Sequence, residues 1–203
     1  MRMVIQSMTA SLTGYMPHPA QNEIHNLMGR HRFGVVVAHR RMGKTVCAVN
    51  ALIDAAVKFQ RNDGRFAYIA PFYGQAKKVA WDYFKSFAQH IRGVRFNESE
   101  LSVVMPTGTI IRLYGADNPD ALRGIYLDGV VMDEVADMKP NVWGEVIRPA
   151  LADRQGWALF IGTPKGINLF YEIYQRALSD RSWFAKIFRA DETGMLSAHE
   201  LKA

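Results

Sequence analysis

Cysteine is almost absent. Cys47 is the single thiol in 203 residues, which excludes an intrachain disulfide framework and a cysteine-based zinc cluster. Two residues after Thr45, it reads as a small packed side chain rather than a nucleophile. Long apolar runs are absent too. No stretch reaches the roughly 18 apolar residues of a membrane-spanning helix. The opening Met1-Arg2-Met3-Val4-Ile5-Gln6 lacks the secretory apolar core of about 7–15 residues, so no leader is expected. Internal repeats and low-complexity tracts are missing, which excludes solenoids and flexible tethers. The six histidines, His18, His25, His31, His39, His90 and His199, show no paired metal-ligand spacing. What remains suits one domain with a sizeable core, because 49% of the residues are hydrophobic. The net charge of +6 favours a polyanionic partner, yet both signs are interspersed and a merely solvated basic surface explains it equally well.

One stretch concentrates chemistry. His39-Arg40-Arg41-Met42-Gly43-Lys44-Thr45 lies between the β-branched run Phe33-Gly34-Val35-Val36-Val37-Ala38 and a helical pattern from Val46 to Phe59. Its end, Gly-Lys-Thr, closes the phosphate-loop pattern G-x-x-x-x-G-K-[ST]. Gly43 lets the backbone approach a phosphate, and the N–H groups of the loop and first helical turn then face an anion. Lys44 is placed to reach the β- and γ-phosphates, and the Thr45 hydroxyl to ligate Mg²⁺. Ala38 stands where the first glycine of the pattern belongs.

Along the chain, residues 1–18 read as an irregular lead-in and Pro19 opens a helix to about Met28. Strands are expected at 33–38, 65–70, 127–132, 157–161 and 183–188, and helices at 43–60, 74–91 and 167–178. Residues 142–151 read as a helix interrupted at Pro149. Short β segments at 93–96, 101–105 and 109–114 surround a hairpin turn at Pro106-Thr107-Gly108. Ala76, Val79, Ala80, Tyr83, Phe84 and Phe87 share one stripe of helix 74–91 and are expected in the core. So is the aromatic set Trp81, Tyr83, Phe84 and Phe87. Alternating strands and helices predict an α/β fold, with a mostly parallel central sheet and helices on both faces. Ligands then gather at the C-terminal strand ends.

A second feature falls at such an end. Val130-Val131-Met132-Asp133-Glu134 is an apolar strand that stops on two adjacent carboxylates. Asp133 is suited to hold Mg²⁺ through its water shell, and Glu134 to polarise an attacking water. The plainer reading, acids that face solvent or cap a turn, weakens beside a phosphate loop. Strand 65–70, between the two motifs in sequence, fits an ATPase whose catalytic strands are separated by an inserted one.

Together the motifs resemble the N-terminal ATPase domain of the large terminase subunit of tailed bacteriophages. The loop Ala38 to Thr45, lacking the first glycine and carrying an early arginine, is similar to that family's. So are Tyr68 to Lys77, Gly115-Ala116-Asp117-Asn118-Pro119-Asp120-Ala121-Leu122-Arg123-Gly124, and the coupling motif Gly162-Thr163-Pro164. The resemblance spans roughly residues 15–190.

The resemblance implies a P-loop NTPase of the ASCE type that binds ATP and Mg²⁺. The nucleotide would be held by Gln21, Ala38, His39, Arg40, Arg41, Met42, Gly43, Lys44 and Thr45, and the metal by Thr45 and Asp133. Catalytic roles fall to Glu134, Lys44, Arg40 as γ-phosphate sensor in cis, and Arg123 as a finger reaching a neighbouring subunit. Gln21 matches the adenine-reading glutamine, since an amide can pair with the N6/N7 edge; Tyr15 is a candidate ring on the base. Gly162, Thr163 and Pro164 would couple hydrolysis to movement. Plainer alternatives stay open: a loop salt bridge for Arg123, a surface charge for Arg41, a spacer for His39, a helix-start residue for Gln21, and a strand-end turn for Thr163. The implied function is ATP-driven translocation of double-stranded DNA into a procapsid in the host cytoplasm. The implied partners are the portal protein, the procapsid, the small terminase subunit and further copies in a pentameric ring. A helicase-like translocase and a nucleotide-dependent DNA-binding module with little turnover are the alternatives. The expected division is an ATPase domain at 1–190 and, from 191 to 203, the start of a linker towards a nuclease domain that this chain lacks, so no DNA cleavage is expected.

Overall fold

The computed structural model describes residues 13–191 and 193. Eight strands form one sheet in the order β3-β4-β5-β2-β6-β7-β1-β8. They are β1 (Phe33–Ala38), β2 (Arg65–Ala70), β3 (Arg95–Asn97), β4 (Ser102–Val104), β5 (Ile110–Gly115), β6 (Gly129–Asp133), β7 (Trp157–Gly162) and β8 (Trp183–Phe188). From β5 to β8 every pairing is parallel; β4 alone runs against the rest, antiparallel to β3 on one side and to β5 on the other, and the predicted hairpin turn at 106–108 joins β4 to β5.

The parallel strands are buried on both faces, so their side chains sort by parity. Val36, Phe66, Tyr68, Val131, Leu159 and Ile161 pack on one side, under α1 (Pro19–Met28) and α2 (Lys44–Lys58). The same layer holds α3 (Tyr73–Ala76), the π-helical turn Lys77–Trp81 and α4 (Asp82–Ala88). Val35, Ala67, Ile69, Val130, Met132 and Phe160 pack on the other side. There the π-helical segment Val142–Ile147 runs into α5 (Arg148–Ala150), and α6 (Leu169–Ser179) comes after β7.

Two expectations need correction. The strand that separates β1 from β6 is β7, not β2, which lies on the far side of β6. The predicted stripe of helix 74–91 is also broken. The π-turn at 77–81 adds a residue to the helical repeat and rotates the remainder of the helix. Ala76, Ala80, Trp81, Phe84 and Ala88 are buried, whereas Val79 and Tyr83 are 39% and 41% exposed. Among the described residues, no helix is long and apolar enough to cross a membrane. The expected linker from residue 191 and the first twelve residues of the lead-in fall, apart from residues 191 and 193, outside the described residues.

Candidate active site

Residues 39–43 form the loop between β1 and α2. Ala38 ends β1 in strand pairing with Phe188, and its side chain is buried in the core. An extended, packed position has no need of glycine, which accounts for the missing first glycine. Gly43 does need to be one: its φ is +78°, and a Cβ there would stand 2.8 Å from Gln21 Nε2. Arg41 also has a positive φ, 68°. Lys44 is buried, and its ammonium donates to the carbonyls of Ala38 (3.0 Å) and His39 (2.9 Å). Burial holds its pKa below the ordinary lysine value, against the opposing pull of Glu134 and Asp133. A buried cation resting on neutral carbonyls of its own loop is poised to accept an anion in their place.

Thr45, one residue into α2, donates through Oγ1 to Asp133 Oδ2 at 3.1 Å. Asp133 ends β6 with the parity of Val131, so it points to the α2 side of the sheet, where Thr45 lies. Its Oδ1 accepts from the Glu134 backbone N–H at 2.8 Å. Burial raises the Asp133 pKa, although its hydrogen bonds oppose that shift. Hydroxyl and carboxylate oxygens are the hard donors Mg²⁺ prefers. That cation commonly takes one or two protein ligands and completes its shell with water and substrate phosphates. Among the described residues no group of three or more His, Cys, Asp or Glu could hold a metal alone. Thr45 with Asp133 is therefore a fit for a nucleotide-borne cation rather than for a self-sufficient metal cage.

Glu134 sits in the left-handed region at φ 52°, ψ 47°. Such strain in a non-glycine residue marks a constrained position. Its Oε2 accepts from Thr163 Oγ1 at 3.2 Å. Thr163 comes just after the end of β7, and β7 lies beside β6 with Ile161 opposite Asp133. Gly162 packs close, since a Cβ there would stand 3.6 Å from Glu134 Cα and 3.3 Å from the Phe170 ring. Pro164 continues the turn, exposed.

The other predicted residues lie around this cluster or away from it. Arg40 and Arg41 are exposed on the loop, and the Arg40 charge reaches Lys44. His39 uses its carbonyl for Lys44, and its ring Nε2 meets Thr193 Oγ1 at 2.9 Å. Met42 is fully buried. Arg123 is not part of this cluster. It projects from the loop after a short 3₁₀ turn (Pro119–Leu122) and pairs only loosely with Asp120 at 3.6 Å, both ends largely exposed. Such a pair contributes little and opens readily. Tyr15 is turned into the core: its hydroxyl meets His25 Nε2 at 3.2 Å and its ring stands edge-on to Phe87. It offers no free face to a base.

Gln21 is buried beneath the loop. Its Oε1 accepts from His18 N–H (3.1 Å), and its Nε2 donates to the Gly43 carbonyl (3.1 Å). One hydrogen and one lone pair of the amide remain for a ligand. His18 Nε2 donates to the Met42 carbonyl at 3.0 Å, so the segment before α1 braces the loop from behind. Sequence reasoning missed His18, for which no local pattern gives a signal. It also missed Tyr68, whose hydroxyl donates to Asp133 Oδ2. Strand parity alone gives no signal there, since only the β2–β6 register, with Tyr68 opposite Val131, brings its hydroxyl to Asp133.

A family model described as terminase large subunit, T4likevirus-type, N-terminal, matches residues 36–198. The chain belongs to this large terminase family. It is similar to the large terminase subunit of Thermus phage G20c, at 34% identity over 80% of this chain and 37% of that protein. The corresponding subunit of Escherichia phage T5 is 27% identical, over 82% and 39%. The chain thus spans a little over a third of the length of these curated relatives. Among solved structures, the large terminase ATPase domain of Thermus phage P74-26 matches with a TM-score of 0.74 at 28% identity, over 88% of this chain and 83% of that one. The large terminase of a thermophilic bacteriophage in complex with ATP-gamma-S matches at 0.72 and 19% identity, over 91% and 47%, and shows the same fold. The terminase fold here is that of an ASCE-type P-loop NTPase, with β7 inserted between the phosphate-loop strand and the Asp133-Glu134 strand.

Proposed function

We propose that this chain hydrolyses ATP and thereby drives double-stranded DNA into a procapsid, as the ATPase part of a large terminase. The observation that carries this reading is the meeting of Lys44 and Thr45 with Asp133 and Glu134 at the ends of β1 and β6. Lys44 would leave the carbonyls of Ala38 and His39 for the phosphates, and Arg40 would add a second cation near the γ-phosphate. Thr45 and Asp133 would hold Mg²⁺, which supplies charge neutralisation on the phosphate oxygens. Glu134, held by Thr163, would orient water and accept its proton. Gln21 would read adenine with the hydrogen and lone pair left over from bracing the loop.

Arg123 is exposed and pairs with Asp120 rather than with a residue of its own Glu134 cluster, which suits a finger acting on a neighbour in a ring. Portal, procapsid, small terminase subunit and the host cytoplasm complete the proposed setting. Gly162, Thr163 and Pro164 would carry the hydrolysis signal into β7. The test is steady-state turnover with Mg²⁺. Glu134→Gln should lose about 10²–10⁴-fold in kcat while still binding ATP; equal turnover would sink the assignment. Mixing Arg123→Ala with Glu134→Gln protein at high concentration should restore part of the activity, and no rescue in any assembled state would remove the trans role.

A further inference from the structure

Tyr68 is fully buried in the middle of β2, yet it carries a hydroxyl into an apolar layer. Parallel register sets it opposite Val131, one step diagonal to Asp133 on the same face. Its hydroxyl donates to Asp133 Oδ2, the oxygen that also accepts from Thr45 Oγ1. Thr45 is the residue whose hydroxyl the cation would claim. A hydroxyl that ligated the cation through an oxygen lone pair would keep its proton for Oδ2, so Thr45 and Tyr68 together would fix the carboxylate that faces the cation's shell. The ring itself is fixed, edge-on to Phe84 at 6.1 Å.

We propose that Tyr68 is a positioning residue for the nucleotide-borne metal: its hydroxyl holds the Asp133 carboxylate in the rotamer that meets the cation. This rests on the reading of Asp133 as a metal-holding residue. Outer partners of this kind typically change metal affinity by about 10–100-fold when removed. A purely packing role predicts no such change, because phenylalanine fills the same slot.

The experiment titrates Mn²⁺ into the ADP-saturated full chain and follows free Mn²⁺ by electron paramagnetic resonance. Tyr68→Phe should weaken Mn²⁺ binding about tenfold, with ADP affinity in the absence of metal within about twofold of wild type. Replacing Tyr68 by p-aminophenylalanine, which keeps the ring and a donor, should restore most of the loss, and it provides a second variant should Tyr68→Phe fold poorly. On an Asp133→Asn background, Tyr68→Phe should add nothing further. Wild-type Mn²⁺ affinity in Tyr68→Phe, fully additive losses, or an equal fall in metal-free ADP affinity would each overturn the proposal. If Asp133→Asn alone binds Mn²⁺ like wild type, the metal reading fails first, and this proposal with it.

Discussion

Thr163 donates to Glu134 across 3.2 Å, joining the turn after β7 to the carboxylate at the end of β6. The bond crosses between two adjacent parallel strands, so any change in how Glu134 is held is felt at the root of the loop that leads to α6. If that link positions the carboxylate for turnover, Thr163→Val should lower kcat about tenfold or more, within the range of a displaced general base. Nucleotide affinity should barely move. Thr163→Ser keeps the donor and should stay near wild type. Equal rates for serine and valine would show that the hydroxyl is idle in the reaction.

The backbone at Glu134 makes a second, independent prediction. A non-glycine residue at φ 52° carries roughly 1 kcal/mol of strain that glycine does not. Both Glu134→Ala and Glu134→Gly remove the carboxylate and should be inactive. Glycine should nevertheless leave the ligand-free protein about 1 kcal/mol more stable than alanine in urea titrations, the reverse of the ordinary order. Alanine equal to or above glycine would mean that the left-handed conformation relaxes freely.

Much of this is legible in the residues. A β-branched run that leads into Gly-Lys-Thr, and an apolar strand ending on Asp133-Glu134, locate both halves of the site. The strand and helix alternation locates the sheet and its two covered faces. Three things stay hidden for physical reasons. Strand order in a parallel sheet depends on crossovers, and nothing local in Arg65–Ala70 or Trp157–Gly162 says which one sits between β1 and β6. The π-turn at Lys77–Trp81 shifts the helical repeat without a glycine or proline to mark it, so periodicity alone puts Val79 and Tyr83 on the wrong face. Tyr68 reads as one more aromatic in a buried strand, because its role depends on which residue β6 places diagonally across from it.

Gln21 bridges two elements that a ligand would also engage, so nucleotide choice is informative. Gln21→Ala removes a buried donor and acceptor and leaves His18 N–H and the Gly43 carbonyl without these partners, at a cost of about 1–3 kcal/mol in stability. If the remaining capacity of the amide reads adenine, ATP affinity should fall by about tenfold more than GTP affinity. A side chain that only braces the loop would reduce both alike. Isothermal titration with the two nucleotides separates these outcomes, and denaturation in urea measures the bracing separately.

His25 makes the fold sensitive to acid. It lies in α1 beneath Tyr15 and beside Cys47, whose Sγ is 3.6 Å from its Nε2. Burial lowers its pKa from an ordinary 6.5 to about 4. The same burial pushes the Cys47 thiol up to about 12, so the thiol stays protonated and the charge question rests with the histidine. The native state then binds fewer protons at His25 than the unfolded chain does. Its contribution is therefore complete above about pH 6.5 and is lost as pH falls towards about 4, with a limit near 3 kcal/mol. Melting temperature measured in steps from pH 7 to pH 4.5 should fall. His25→Gln, which keeps an acceptor for the Tyr15 hydroxyl but does not titrate, should flatten that fall even if it starts from a lower value. An unchanged slope in the variant would place the acid sensitivity in other groups and leave His25 as packing alone.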